Sequence, residues 1–194
     1  MKQYLLMMVV MFWVTACGDV PPVPTDHFYR LTMPQGMEKQ QIPDGVIYVG
    51  DFNAEGLYNE RPLLYINDQE GRELRQHHYH FWVTSPAHLL HDYLIDYLRS
   101  ASTASVVMSG PSAEGGMKIS GKVLEFEYQT TGNSTANVAL ELRLERHGEE
   151  LPGILREYRV NEPINGDSMA EIIAAFNRAT LSIYNQFVAD IREL

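Results

Sequence analysis

The chain has 194 residues, a formal net charge of −10 and a single cysteine. This length fits about one domain with its own hydrophobic core, and the acidic balance argues against nucleic acid as a partner. With one cysteine no intramolecular disulfide can form, so packing must stabilise the fold.

The N-terminus has the order of a lipoprotein signal peptide. Lys2 precedes an apolar run from Tyr4 to Val14 that is too short to span a membrane. The next residues, Val14-Thr15-Ala16-Cys17, resemble a bacterial lipobox. We therefore expect residues 1–16 to be removed and Cys17 to be acylated on its thiol and its new amine. The alternative interpretation makes Cys17 a buried residue of an N-terminal helix.

Residues 17–27 are predicted to tether the acylated cysteine to a folded domain over residues 28–194. Three prolines between Gly18 and Thr25 favour an extended, semi-rigid chain of roughly 25 Å. Loss of residues 1–16 leaves 14 basic and 25 acidic residues. Such a chain is repelled by anionic lipid, so we expect acyl chains rather than a basic patch to hold it at a membrane.

The domain is predicted to contain strands and two long helices. Four strands near residues 28–31, 46–52, 62–66 and 74–83 precede a helix that begins at Ser85-Pro86. A short strand at 105–109 and an antiparallel meander over 117–160 follow. Ser168 and Glu171 form a capping box that opens the last helix. This order predicts one α/β or α+β domain around a mixed sheet.

The run His77-His78-Tyr79-His80 is the main candidate for chemistry. On a regular strand His78 and His80 point the same way, about 7 Å apart, and could share a zinc ion if His88 or His91 supplied a third ligand. The spacing matches no zinc motif, and the alternative is interface packing.

No nucleophile elbow or phosphate-binding loop is visible in the sequence. Glu125 and Glu127 share one strand face and are interpreted as solvated. We therefore predict neither catalytic residues nor a cofactor, and no enzymatic activity.

The residue types in the segment from Gly56 to Tyr65 indicate a surface that contacts another molecule. Tyr58, Glu60 and Arg61 lie around a sharp turn, and Tyr79 lies on the strand that follows. Tyr and Arg dominate protein interfaces, so these four residues are the candidates for partner contact. The alternative is that the segment is a structural corner.

Several of these motifs occur in one order that is similar to the ABC-type transport auxiliary lipoproteins, the PqiC-like or YmbA-like family. The motifs are Phe28-Tyr29-Arg30-Leu31, Asp51-Phe52, Gly56-Leu57-Tyr58, Arg61-Pro62-Leu63-Leu64-Tyr65 and Tyr79-His80-Phe81-Trp82. The resemblance implies a three-layer sandwich with a mixed sheet and no catalytic residues. It also implies work beside an MCE-type substrate-binding protein, an ABC permease and its ATPase, which move phospholipid or other hydrophobic molecules between two membranes.

Location and partner follow as expectations. Residue 18 is Gly rather than the Asp that commonly retains such lipoproteins in the inner membrane, which favours the outer membrane and a periplasm-facing domain; Asp19 keeps the inner membrane as an alternative. The contact partner is either the MCE protein or a second copy of the chain. Competing functions are a structural or regulatory envelope lipoprotein that binds a periplasmic enzyme or cell-wall component, and a zinc-binding or hydrolytic lipoprotein built on the histidines.

Overall fold

The computed structural model describes residues 23–37, 39–40, 42, 45–68, 70–101, 106–110, 116–146, 148 and 153–194. Cys17, the signal peptide and the tether up to residue 22 lie outside this part of the chain. The described elements are β1 (His27–Tyr29), β2 (Val46–Ala54), a 3₁₀ helix (Gly56–Asn59), β3 (Pro62–Ile66), β4 (Leu74–Trp82), α1 (Pro86–Ala101), β5 (Val106–Ser109), β6 (Met117–Gln129), β7 (Thr135–Arg146), β8 (Ile154–Pro163) and α2 (Met169–Arg192).

All eight strands form one mixed sheet in which β6 is the long central strand. The antiparallel strands β7 and β8 lie along one side of β6. On its other side β2 pairs in parallel with residues 117–123, and β3 pairs in parallel with residues 127–129. The sheet therefore forks: β5 continues from β2, whereas β4 and β1 continue from β3. The 3₁₀ helix connects β2 to β3 at the fork.

The strands bury one face of the sheet. On β7 the buried side chains of Leu140, Leu142 and Leu144 alternate with Glu141 and Arg143, which are partly or fully exposed. This period of two places every second side chain in the core. The predicted alternation of this strand is confirmed.

Both helices cover that apolar face. Helix α1 packs against β2, β5 and β6, and α2 packs against β7 and β8. The Tyr184 hydroxyl of α2 donates to the Leu90 carbonyl of α1 across 2.7 Å. The predicted N-cap at Ser168 is confirmed, because the Glu171 amide donates to Ser168 Oγ at 3.2 Å.

The predicted α/β class, mixed sheet, two long helices and single domain are confirmed. The layering is simpler than the resemblance implied, because one helical layer and one sheet make two layers. The opposite sheet face carries side chains such as Lys122, Glu141 and Arg143, which are not fully buried. Leaving these charged groups in water costs far less free energy than burying them under a third layer would.

Candidate docking surface

The fork of the sheet positions the segment that contains three of the four contact candidates. After β2 the chain turns through Gly56, whose φ of +56° favours glycine, and enters the 3₁₀ helix. An open hollow of about 480 Å³ lies between this helix and β6. Its walls are mostly apolar, and the ion pair of Lys122 with Glu55 at 2.7 Å is at its rim.

Arg61 is exposed but held in one orientation. Its Nε donates to the Trp82 carbonyl at 3.1 Å, and its guanidinium carbon lies 5.3 Å from the centre of the Phe28 ring. A cation over an aromatic ring gains electrostatic energy. These contacts fix the side chain before any partner arrives, which lowers the entropic cost of binding.

Glu60 and Tyr58 differ in how far they reach into solvent. Glu60 is exposed and accepts a hydrogen bond from Gln76 Nε2 at 2.7 Å. Tyr58 is half-buried against the core, and its hydroxyl donates to Glu127. Burial and the neighbouring Glu127 raise the pKa of the Tyr58 hydroxyl well above its usual range. Glu60 and Arg61 are therefore the accessible members of the group.

Glu127 departs from the sequence interpretation, which placed it on a solvated face. The residue is 4 % exposed, and its carboxylate accepts a hydrogen bond from the Phe126 amide at 2.8 Å. Burial and the nearby Glu125 raise the pKa of Glu127 to about 7, although Phe126, Tyr58 and Arg159 oppose the shift. A charged carboxylate loses its hydration in such a site. The 3₁₀ helix covers Glu127. The residue pattern of β6 alone therefore could not predict that this side chain is buried.

Tyr79, the fourth contact candidate, lies on β4 two residues before Phe81. The rings of Phe28 on β1 and Phe81 on β4 stack with centres 5.8 Å apart. Phe28 is 54 % exposed and Tyr79 is 44 % exposed. We call Phe28, Tyr79 and Phe81 the aromatic platform. Sequence reasoning missed Phe28, because only the pairing of β1 with β4 brings it to Phe81.

The histidines of β4 are arranged differently from the expectation. His77 and His80, rather than His78 and His80, contact each other, with ring centres 5.1 Å apart, whereas His78 is exposed. The pairing register between β3 and β4 shifts between Pro62 and Leu64, which breaks the simple alternation along β4.

The two contacting histidines belong to a cluster that links β4 to β6 and to β1. His77 Nε2 lies 2.5 Å from the Tyr128 hydroxyl, and His80 Nδ1 lies 2.7 Å from the Tyr29 hydroxyl. His80 also stacks on His27 of β1 at 5.2 Å. This packing joins β1 to the sheet. Among the described residues no group of three or more His, Cys, Asp or Glu side chains could hold a metal ion.

We expect His77 and His80 to titrate below the ordinary range of histidine. Burial lowers the pKa of both imidazoles, and the positive charge of neighbouring histidines lowers them further. Because the folded protein favours their neutral forms, they contribute stability that is lost as pH falls below about 6.5. Proton NMR of the imidazole C–H signals between pH 4 and 8 measures the midpoints. Midpoints at or above about 6.5 for both residues would contradict this arrangement.

Comparison with known proteins gives the family. The sequence matches the family described as ABC-type transport auxiliary lipoprotein component over residues 29–188. The comparison with curated proteins gives no match. The described helices include none that is long and apolar enough to cross a membrane.

Solved structures share the fold at low sequence identity. An uncharacterized protein superposes with a TM-score of 0.72 and 15 % identity, covering 86 % of this chain and 99 % of the other. A protein from Xanthomonas campestris gives a TM-score of 0.69 at 17 % identity, with 86 % and 98 % covered. A hypothetical protein from Chlamydia trachomatis gives 0.52 at 10 % identity, with 78 % and 100 % covered.

The family match gives the class of protein, an auxiliary lipoprotein component of ABC-type transport. The chain belongs to the ABC-type transport auxiliary lipoprotein family.

Proposed function

We propose that this chain is the lipid-anchored, periplasm-facing auxiliary component of an ABC/MCE-type system that moves phospholipid or other hydrophobic molecules between membranes. The family match over residues 29–188 is the observation that carries this proposal. The chain acts by docking to the MCE protein, or to the ABC permease and its ATPase, and catalyses no reaction. A second copy of the chain is the alternative partner.

The docking surface is proposed to be the segment around the 3₁₀ helix. Glu60 and Arg61 present opposite charges in water, and they follow Tyr58, which lines the apolar hollow at the fork, by two and three residues. The Tyr58 hydroxyl donates a hydrogen bond to Glu127 of β6, which holds the segment against the sheet. A rigid Arg beside an apolar depression is a common basis for a binding hot spot.

The membrane attachment is proposed to be the acylated Cys17, at the end of the tether over residues 17–27. Gly18 favours the outer membrane, with the domain in the periplasm. The chain has a net charge of −10, so an anionic surface repels it and the acyl chains supply the attachment.

The proposal is tested by transport in cells of the native host that lack this chain. We expect the transfer of labelled phospholipid or of a hydrophobic probe between the two membranes to fall. The wild-type chain should restore transfer, and an unacylated Cys17→Ser chain should not. Unchanged transfer together with an altered activity of a periplasmic or cell-wall enzyme would favour the regulatory alternative and contradict the transport role.

A further inference from the structure

The aromatic platform lies where the tether enters the domain. Strand β1 begins at His27 opposite His80, one residue from Tyr79 on β4, and the preceding residues 23–26 are exposed. Because β1 runs parallel to β4, Tyr79 is at the tether end of the platform and Phe81 is further along. The tether therefore joins the domain at this end of the platform.

The tether is too short to carry the domain far from its anchor. Ten steps of chain separate Cys17 from His27, and the sequence, with prolines at 21, 22 and 24, predicts an extended tether. At ~3.1 Å per residue the expected reach is about 31 Å, which is about the width of a small domain. This argument rests on the acylation proposed for Cys17.

The chemistry of the platform fits the interface of a bilayer. Phe28 is more than half exposed, and the guanidinium of Arg61 lies over its ring. Tyr and Arg combine an apolar body with a polar group that tolerates lipid headgroups, and Tyr is enriched at that depth, whereas Phe28 and Phe81 add purely apolar area. Water alone is a poor environment for such a cluster.

The local charge also favours contact between this part of the surface and a membrane. The segments that build it, residues 25–30, 58–63 and 77–84, contain two acidic and two arginine residues, whereas the whole chain has a formal charge of −10. An anionic leaflet repels an acidic surface and accepts a neutral one. The platform is therefore a region where the domain can approach lipid without net repulsion.

We propose that the aromatic platform of Phe28, Tyr79 and Phe81 inserts into the headgroup region of the membrane that holds the acylated Cys17. The acyl chains supply the affinity and the platform fixes the orientation of the domain. Glu60 and Arg61 are then held beside the membrane surface, where the docking partner is expected to meet them.

The test uses the full acylated chain in vesicles of phosphatidylethanolamine, phosphatidylglycerol and brominated phosphatidylcholine. Bromine quenches tryptophan at the depth of the lipid. After loss of residues 1–16 the chain has one tryptophan, Trp82, which is 1 % exposed and gives a constant background. Phe28→Trp and Tyr79→Trp report on the platform. Leu155→Trp is the matched control, because Leu155 is 56 % exposed on β8 at the opposite edge of the sheet.

We expect quenching in the Phe28→Trp and Tyr79→Trp variants to exceed that in the Leu155→Trp variant several-fold, with an emission shift to the blue. Equal quenching in all three variants on vesicles that carry the protein would overturn the platform proposal. Quenching that is absent until the MCE protein is added, or a blue shift with that protein alone, would assign the platform to a protein contact and also overturn it. Failure of the chain to float with vesicles would instead contradict the anchor.

Discussion

Replacing Cys17 with serine should stop acylation and leave an unprocessed precursor. The prediction follows from the n-region at Lys2, the apolar run and the Val-Thr-Ala-Cys order, since both the cleavage and the acylation require the thiol. We expect the wild-type chain to sediment with outer-membrane markers in a sucrose gradient and to incorporate labelled palmitate. The Cys17→Ser precursor should sediment with inner-membrane markers, without label.

A second substitution provides the matched control for location. Gly18→Asp keeps the lipobox and should still be cleaved and labelled, but we expect it to sediment with inner-membrane markers. Cleavage at the same bond with palmitate labelling of Cys17→Ser would show that Cys17 is not the lipidation site. Wild-type chain in the inner-membrane fraction would contradict the outer-membrane proposal alone.

Replacing Glu127 with glutamine should stabilise the protein at pH 8 and change little at pH 5. The buried carboxyl has a pKa of about 7 in the folded protein and an ordinary value of 4.5 in the unfolded chain. The folded state therefore binds its proton more tightly, and stability decreases as pH rises from about 4.5 through 7. The full shift corresponds to about 3 kcal/mol, and glutamine keeps an acceptor for the Phe126 amide without a charge.

Chemical denaturation at the two pH values measures this effect as a free energy of unfolding. We expect Glu127→Gln to gain about 2 kcal/mol at pH 8 and less than about 0.5 kcal/mol at pH 5. Glu141→Gln is the control, since Glu141 lies on the same face of the sheet but is only partly buried. Comparison of variants at one pH also cancels the opposite pH dependence of His77 and His80. Destabilisation of Glu127→Gln at pH 8 would contradict a buried carboxyl with a raised pKa.

Local patterns predicted the elements of this fold well. The N-cap at Ser168, the Ser85-Pro86 helix start and the alternation of Leu140, Leu142 and Leu144 each depend on neighbours within a few residues. Such signals can be read from the sequence alone, because the residues that produce each feature lie within one helix or strand. The α/β class follows from their order.

Long-range register was the main source of error in the candidate site. The shift between β3 and β4 brings His77 to His80, and a strict alternation along β4 had paired His78 with His80 instead. Glu127 is buried because Tyr58 reaches it from 69 residues earlier in the chain. Phe28 joins Phe81 only through the parallel pairing of β1. No local pattern contains these contacts.

The four contact candidates illustrate the same limit. Residue type selected Tyr58, Glu60, Arg61 and Tyr79 as candidates for partner contact, but it could not assign their exposure. Tyr58 is half-buried, and truncating it would disturb Glu127 as well as any interface. Arg61 is exposed and held by the Trp82 carbonyl, so it offers the cleaner variant.

Binding of the acylated chain to the MCE protein of its own system tests the central claim most directly. We expect the wild-type chain to retain that protein in a pull-down from detergent, and Arg61→Ala to weaken binding about tenfold, as for a hot spot worth about 1.4 kcal/mol. Arg143→Ala, which removes an exposed arginine of β7, should bind like the wild type. Both variants should melt within a few degrees of the wild type, as surface changes do. Equal retention of the wild type and of a folded Arg61→Ala chain, or no retention of either, would contradict docking through this surface.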